Sequence, residues 1–240
     1  MKEKQVFFNP FRIISPKLNA EASRLDEIYE STPAEVTCLE EGLLVMISKL
    51  KEIAGLIYKC LIIADPVKLE RCEILVREVR QEEKGLTGDL VCSPTTTGDI
   101  LKTVILFPGR LERAGDLLKS MVNVAKIKAG EGIPFSDKAL EELTQLFDLL
   151  TTILSSFGDL LITRNRSLAD HLLGEQKRLA QMTVDFALTH EDRLIEGLCS
   201  PKASSLYLDI LDSVKSVSAH IKEMTESLLR IADAQVASTN

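Results

Sequence analysis

Glu112 and Asp116 stand four residues apart in Leu111-Glu112-Arg113-Ala114-Gly115-Asp116-Leu117-Leu118. On a helix their carboxylates lie one turn apart on the same face, within reach of a single cation. That face adjoins an apolar seam of Leu111, Ala114, Leu118 and Met121, and acids bordering a core are costly to desolvate without a positive partner. Metal binding is the chemistry such a pair suggests. The commoner case is a solvated acidic pair with Arg113 and Lys119 as surface neighbours. Two carboxylates fall short of the roughly six oxygens that a hard cation takes. Folding the preceding helix back about Ser93-Pro94 brings residues near 71–75 opposite 112–116, where Glu70 and Glu73 are the available acids. The expected site is therefore Glu112, Asp116, Glu70 and Glu73, with Glu78, Glu82 and Glu83 as weaker contributors. It holds one divalent or trivalent ion, with iron, manganese, magnesium and zinc all left open. Glu70 and Glu73 have a competing role as helix-face partners of Lys68, Arg71 or Arg77. Pro108-Gly109, just before Glu112, predicts a kink in the helix.

No other constellation carries chemistry. His171, His190 and His220 are scattered, and none has a partner at metal-ligand spacing. No acid lies three residues before a histidine, as the di-metal oxidases of helical bundles require. Gly85 and Gly88 lack the spacing and the strand of a phosphate loop. An enzyme is not expected.

The elements that must position the acids are helices. Hydrophobic residues make up 45% of the chain and charged residues 27%, with no Trp and apolar mass drawn from Leu, Ile, Val and Ala, which favours helix-on-helix packing. A formal net charge of −7 argues against a nucleic-acid surface and suits cations. Cys38, Cys60, Cys72, Cys92 and Cys199 are widely spaced with no CxxC, so most of them read as small apolar core residues in a reducing compartment. The first residues, broken by Pro10 and Pro16, do not form a signal peptide, and no stretch is expected to span a membrane. A free-standing cytoplasmic protein is expected.

Residues 1–32 read as an N-terminal arm. From Pro33, apolar residues at alternating spacings of three and four (Val36, Leu39, Leu43, Met46, Leu50, Ile53, Ile57, Cys60) predict a packed helix. Asp65-Pro66 ends it and caps the next, which runs through Leu69, Cys72, Val76 and Val79 to the break at Ser93–Gly98. A third helix spans about Asp99 to Ala129. Gly130-Glu131-Gly132-Ile133-Pro134 is a linker. A fourth helix then starts behind Ser136, a fifth near Ser167 and a sixth after Cys199-Ser200-Pro201. The first and fourth helices overlay at an offset of 104, and the second and third overlay the fifth and sixth at 103. An all-α fold follows: two tandem antiparallel three-helix bundles, residues 33–130 and 131–240, related by an internal repeat of about 103 residues.

Two such bundles with Glu-Arg-x-x-Asp on the third helix resemble the PhoU family of phosphate-transport regulators, whose LERIGD...NIA signature is similar to Leu111–Asp116 followed by Val122-Asn123-Val124-Ala125. Thr189–Gly197 and Tyr207–Lys215, running on to His220-Ile221, resemble the PhoU-like domains attached to sodium/phosphate cotransporters. The likeness spans about residues 33–237. It implies a non-enzymatic regulator of phosphate uptake and signalling that docks on a membrane phosphate transporter or a sensor histidine kinase, with a homodimer allowed for. It also implies metal at the acidic motif of each half. Here only Glu112 and Asp116 carry over, because the offset of 103 puts Lys215 and Ala219 at their places in the second half. One site is expected, with Lys215 free to pair with an acid of the fifth helix. The alternative is a metal-free helical scaffold.

Overall fold

A computed structural model describes residues 34–92 and 103–238, with side chains described for 38–88 and 103–231. The expected arm, Pro33 and the break at Ser93–Gly98 lie outside the described residues. Among the described residues there are six helices and no strand. They are α1 (Ala34–Ile62), α2 (Pro66–Cys92), α3 (Phe107–Gly130), α4 (Asp137–Thr163), α5 (Arg166–Ile195) and α6 (Pro201–Ser238).

Local chemistry sets these boundaries. The Asp65 carboxylate accepts from the Val67 and Lys68 amides at 3.1 and 3.2 Å, satisfying amides that the first turn of α2 leaves without partners. Ser136 does the same for α4, accepting from the Ala139 amide at 3.2 Å. Asn165 caps α5 through the Leu168 amide at 3.0 Å, and Ser200 caps α6 through that of Ala203 at 3.2 Å. The linker turns at Gly132 (φ +63°), and α5 gives way at Gly197 (φ +74°). Both are left-handed conformations in which a Cβ is disfavoured.

The apolar pattern read as one helix from near Asp99 is interrupted: residues 103–104 are helical, 105–106 form a turn, and α3 starts at Phe107. Pro108 therefore sits in its first turn, where a missing N–H costs nothing and a fixed φ suits helix entry. It opens the helix behind a turn at residues 105–106 that separates it from helical residues 103–104, so the expected kink takes the form of a break just before Pro108.

Each trio is antiparallel, and the trios share their cores. The Tyr58 hydroxyl of α1 meets that of Thr144 on α4 at 2.8 Å, and its ring lies 5.8 Å from that of Phe147. Arg164, just past α4, pairs with Glu40 on α1. These contacts run α1 and α4 in opposite directions. Gly158 of α4 faces Leu44 and Ile47 of α1, Phe107 of α3 meets Phe157 of α4 at 6.2 Å, and Arg110 of α3 pairs with Glu223 of α6. Leu43, Leu50, Ile57, Leu111, Leu118, Leu150, Val214 and Ile221 are fully buried, each favoured by about 1.5–3 kcal/mol over exposure. Cys60 and Cys72 belong to this core; burial raises both thiol pKa values, that of Cys72 to about 12.

By length and composition α4 is apolar enough to cross a membrane, which corrects the expectation that no stretch reaches that length. However, 56% of its apolar window is buried inside the protein, and Asp148 and Asp159 line its exposed side. A helix buried in the middle of a large core carries this composition without any bilayer.

Candidate functional site

Two clusters of polar side chains interrupt this packing, one in each trio. The first is the acidic pair. Glu112 and Asp116 do share one face of α3, with 31% and 48% of their side chains exposed. The group between them is Arg80 of α2, which donates from Nη2 to Asp116 Oδ1 and lies with Nε 4.0 Å from Glu112 Oε1. Helix packing brings it there. Gly115 faces Val79 and Leu50, so the backbones approach closely and the residue after Val79 reaches across to the acids.

That register differs from the one obtained by folding about Ser93-Pro94. Arg80 lies opposite Asp116, and Glu73 lies opposite Lys126, whose Nζ donates to Glu73 Oε1 at 2.6 Å and holds the Glu73 carboxyl below its usual range. Glu73 thus pairs ten residues further along α3 than Asp116, roughly 15 Å at 1.5 Å per residue. Glu70 is exposed another turn away. The structure brings Glu112 and Asp116 together and leaves Glu70 and Glu73 out of their group. The reason is that α2 continues to Cys92 while α3 begins only at Phe107, which moves the midpoint of the pair towards residue 98. Glu78 and Glu82 are engaged by Lys49 at 3.3 and 3.1 Å.

As arranged, this donor set does not suit a hard cation. It offers two carboxylates where about six oxygens are wanted, and the Arg80 guanidinium occupies the space between them. Among the described residues no three His, Cys, Asp or Glu side chains gather at metal-binding range. In the second trio, Lys215 is exposed and forms no ion pair among the described residues.

The second cluster lies where α4, α5 and α6 meet. Glu142 is 1% exposed on α4, and Arg193 of α5 grips it with two hydrogen bonds, Nη1 to Oε1 at 2.8 Å and Nη2 to Oε2 at 2.7 Å. The Tyr207 hydroxyl of α6 donates to Oε2 at 2.5 Å. His190, one turn before Arg193, stacks on Tyr207 with centroids 4.5 Å apart, and its Nδ1 lies 3.3 Å from Arg193 Nη2. A guanidinium only donates, so Nδ1 accepts and the imidazole proton resides on Nε2. Burial and the neighbouring Arg193 lower the His190 pKa, against the opposing charge of Glu142. Burial, then the bond to Glu142, raises that of Tyr207.

Sequence reasoning missed this cluster, and Arg80 with it. One signal was present: Glu142 falls within the apolar stripe that runs from Ala139 to Leu146, and an acid there calls for a buried cation. Nothing local identifies Arg193, 51 residues away, as that cation.

Six described helices in two antiparallel trios that share their cores form the all-α fold of the PhoU proteins. Two crystal structures share it. The phosphate transport system regulatory protein PhoU from Streptococcus pneumoniae superimposes with a TM-score of 0.70 at 18% identity, over 81% of this chain and 93% of that one. PhoU from Pseudomonas aeruginosa gives 0.73 at 14% identity, over 84% and 98%. No family model matches the sequence, and no curated protein matches it significantly.

Proposed function

We propose that this chain is a non-enzymatic regulator of phosphate transport that works from the cytoplasm by docking on a phosphate transporter or its sensor kinase. The observation that carries this reading is the agreement of fold and motif. The helices superimpose on two PhoU structures over more than four-fifths of the chain, and Leu111–Asp116 lies on the third helix, where the resemblance puts it. The two polar clusters are ion pairs and hydrogen bonds between helices, an arrangement suited to holding a binding surface in shape. Co-purification from membranes of the source cells, grown in high and in low phosphate, tests the proposal. A phosphate-transport subunit or a sensor kinase should be retained in one condition more than the other. Recovery of neither in both conditions sinks it and leaves a helical scaffold.

Metal binding is a second reading, favoured by the two carboxylates of α3 that share one cationic partner. It requires Arg80 to swing away, so that the ion replaces the guanidinium and water completes its shell. Elemental analysis of protein purified without chelator tests it. Metal at substantial occupancy that is lost on Glu112→Gln with Asp116→Asn supports the reading, and metal-free protein rejects it.

A further inference from the structure

α5 packs against α4 and α6 and turns its remaining face to water. The exposed positions from Gly174 to Ile195 recur at steps of three and four, so they form one continuous strip, roughly 32 Å long at 1.5 Å per residue. Three large apolar side chains stand on it: Val184 is 43% exposed, Leu188 57% and Ile195 84%, the last the most exposed of its kind among the described residues. A helix face that met only water would carry polar residues there.

The charges of the strip are sorted by position. Lys177 and Arg178 stand towards its start, Glu191 and Asp192 about four turns later, and all four are exposed. Lys177, Glu191 and Asp192 form no ion pair among the described residues, and Arg178 reaches only its own neighbour Glu175, at 3.4 Å.

A strip that is basic towards one end and acidic towards the other, with apolar residues between and beyond, complements a copy of itself turned end for end. With Lys177 set against Asp192 of a second copy, helical spacing sets Arg178 against Glu191, Leu188 against Gln181 and Ile195 against Gly174. The last match joins the most exposed apolar side chain to a residue without one, and no atom lies within 4 Å of where a Gly174 Cβ would stand. Val184 and Asp185 flank the twofold axis, and the Asp185 carboxylate is engaged there by its own Gln181 amide at 2.9 Å. Parallel pairing would set like charges against each other.

We propose that the outer face of α5 is a homodimer interface, on which two copies of this chain pair their α5 helices antiparallel about an axis beside Val184. One helix pair covers less than the roughly 800 Å² per partner of a standard interface, so the dimer is weak and reversible. The interface is independent of the phosphate-regulator reading, which stands if the protein proves monomeric.

Sedimentation equilibrium of the full chain tests it. A monomer–dimer equilibrium with a dissociation constant of about 10–100 μM is expected at low salt, weakening as salt is raised. Lys177→Glu with Arg178→Glu, and separately Glu191→Lys with Asp192→Lys, should each weaken self-association at least about tenfold, while an equal mixture of the two variants should associate again. All four positions are exposed, and far-UV circular dichroism checks that the fold is kept. In the unmutated protein the backbone amide signals that move with protein concentration should map to α5, a readout that needs no variant. A protein still monomeric at about 500 μM, a dimer indifferent to both charge reversals, a mixture that stays monomeric, or concentration-dependent signals that avoid α5 would each overturn the assignment.

Discussion

Arg193 clasps Glu142 through two parallel hydrogen bonds of 2.8 and 2.7 Å, joining α5 to α4 at a point where the carboxylate is almost wholly removed from water. Such a pair adds little over an apolar replacement of both partners, but removing one strands a charge in the core. Glu142→Ala and Arg193→Ala are each expected to lower the unfolding free energy by about 3–5 kcal/mol. Tyr207→Phe, which removes one donor to the same carboxylate, should cost about 1.5–3 kcal/mol. Urea unfolding followed by circular dichroism measures all three, and losses under about 1 kcal/mol would contradict the buried network.

His190 gives the network a pH dependence. Its folded-state pKa is lowered by burial and by Arg193, so the unfolded chain takes up the proton first. Its stabilising contribution is complete above the unfolded value near 6.5 and is lost as pH falls from there through the folded pKa. His220, lowered by burial and then by Arg110 and Arg113, acts in the same direction. Stability should fall between pH 7.5 and 5 by up to about 1.4 kcal/mol per pH unit per titrating histidine. His190→Gln should flatten that slope. A wild-type curve that is level across the window would exclude the burial described for both rings.

Arg80 bridges two acids at a half-exposed site, so its value for stability is small. Arg80→Gln is expected to cost about 0.2–1 kcal/mol, less at high salt. Its larger effect should be on cation affinity, because the two carboxylates then face each other without a guanidinium between them. Titration with manganese(II) should show binding in Arg80→Gln at least about tenfold tighter than in wild type. Equal affinities would mean that Arg80 does not guard the pair.

Phe157 is fully buried on α4 and meets Phe107 across the boundary between the trios. Phe157→Ala should cost about 3–5 kcal/mol, and the loss should appear in both trios together. Hydrogen exchange resolved by residue is the measurement. Faster exchange confined to residues 137–231, with α1 and α3 unchanged, would show that the halves are energetically separate.

Much of this architecture was legible. Alternating threes and fours of apolar residues mark every described helix, because each buries one stripe against its neighbours, and capping by Asp65 and Ser136 follows from side-chain chemistry one turn away. The start of α3 was not, since Ile100 and Val104 continue its apolar spacing and only the packed chain places Pro108 in a first turn. The pairing of Glu112 and Asp116 on one face follows from the helical period. Their partner does not, because the register between two antiparallel helices depends on where each begins and ends, and an error of a few residues exchanges Arg80 for Glu73. Glu142, Arg193, His190 and Tyr207 lie on three helices, and nothing in their sequence spacing relates them.

The crossing of α1 with α4 bears on how the chain is made. A ribosome that has delivered residues only through Gly130 has released three helices whose shared surface still lacks its cover. The groove around Leu44, Ile47 and Tyr58 stays open to water until Phe147 and Gly158 have emerged. Through that interval the unfinished protein offers a sticky flank to whatever lies near the exit tunnel, and chaperone retention of chains stalled there would report it.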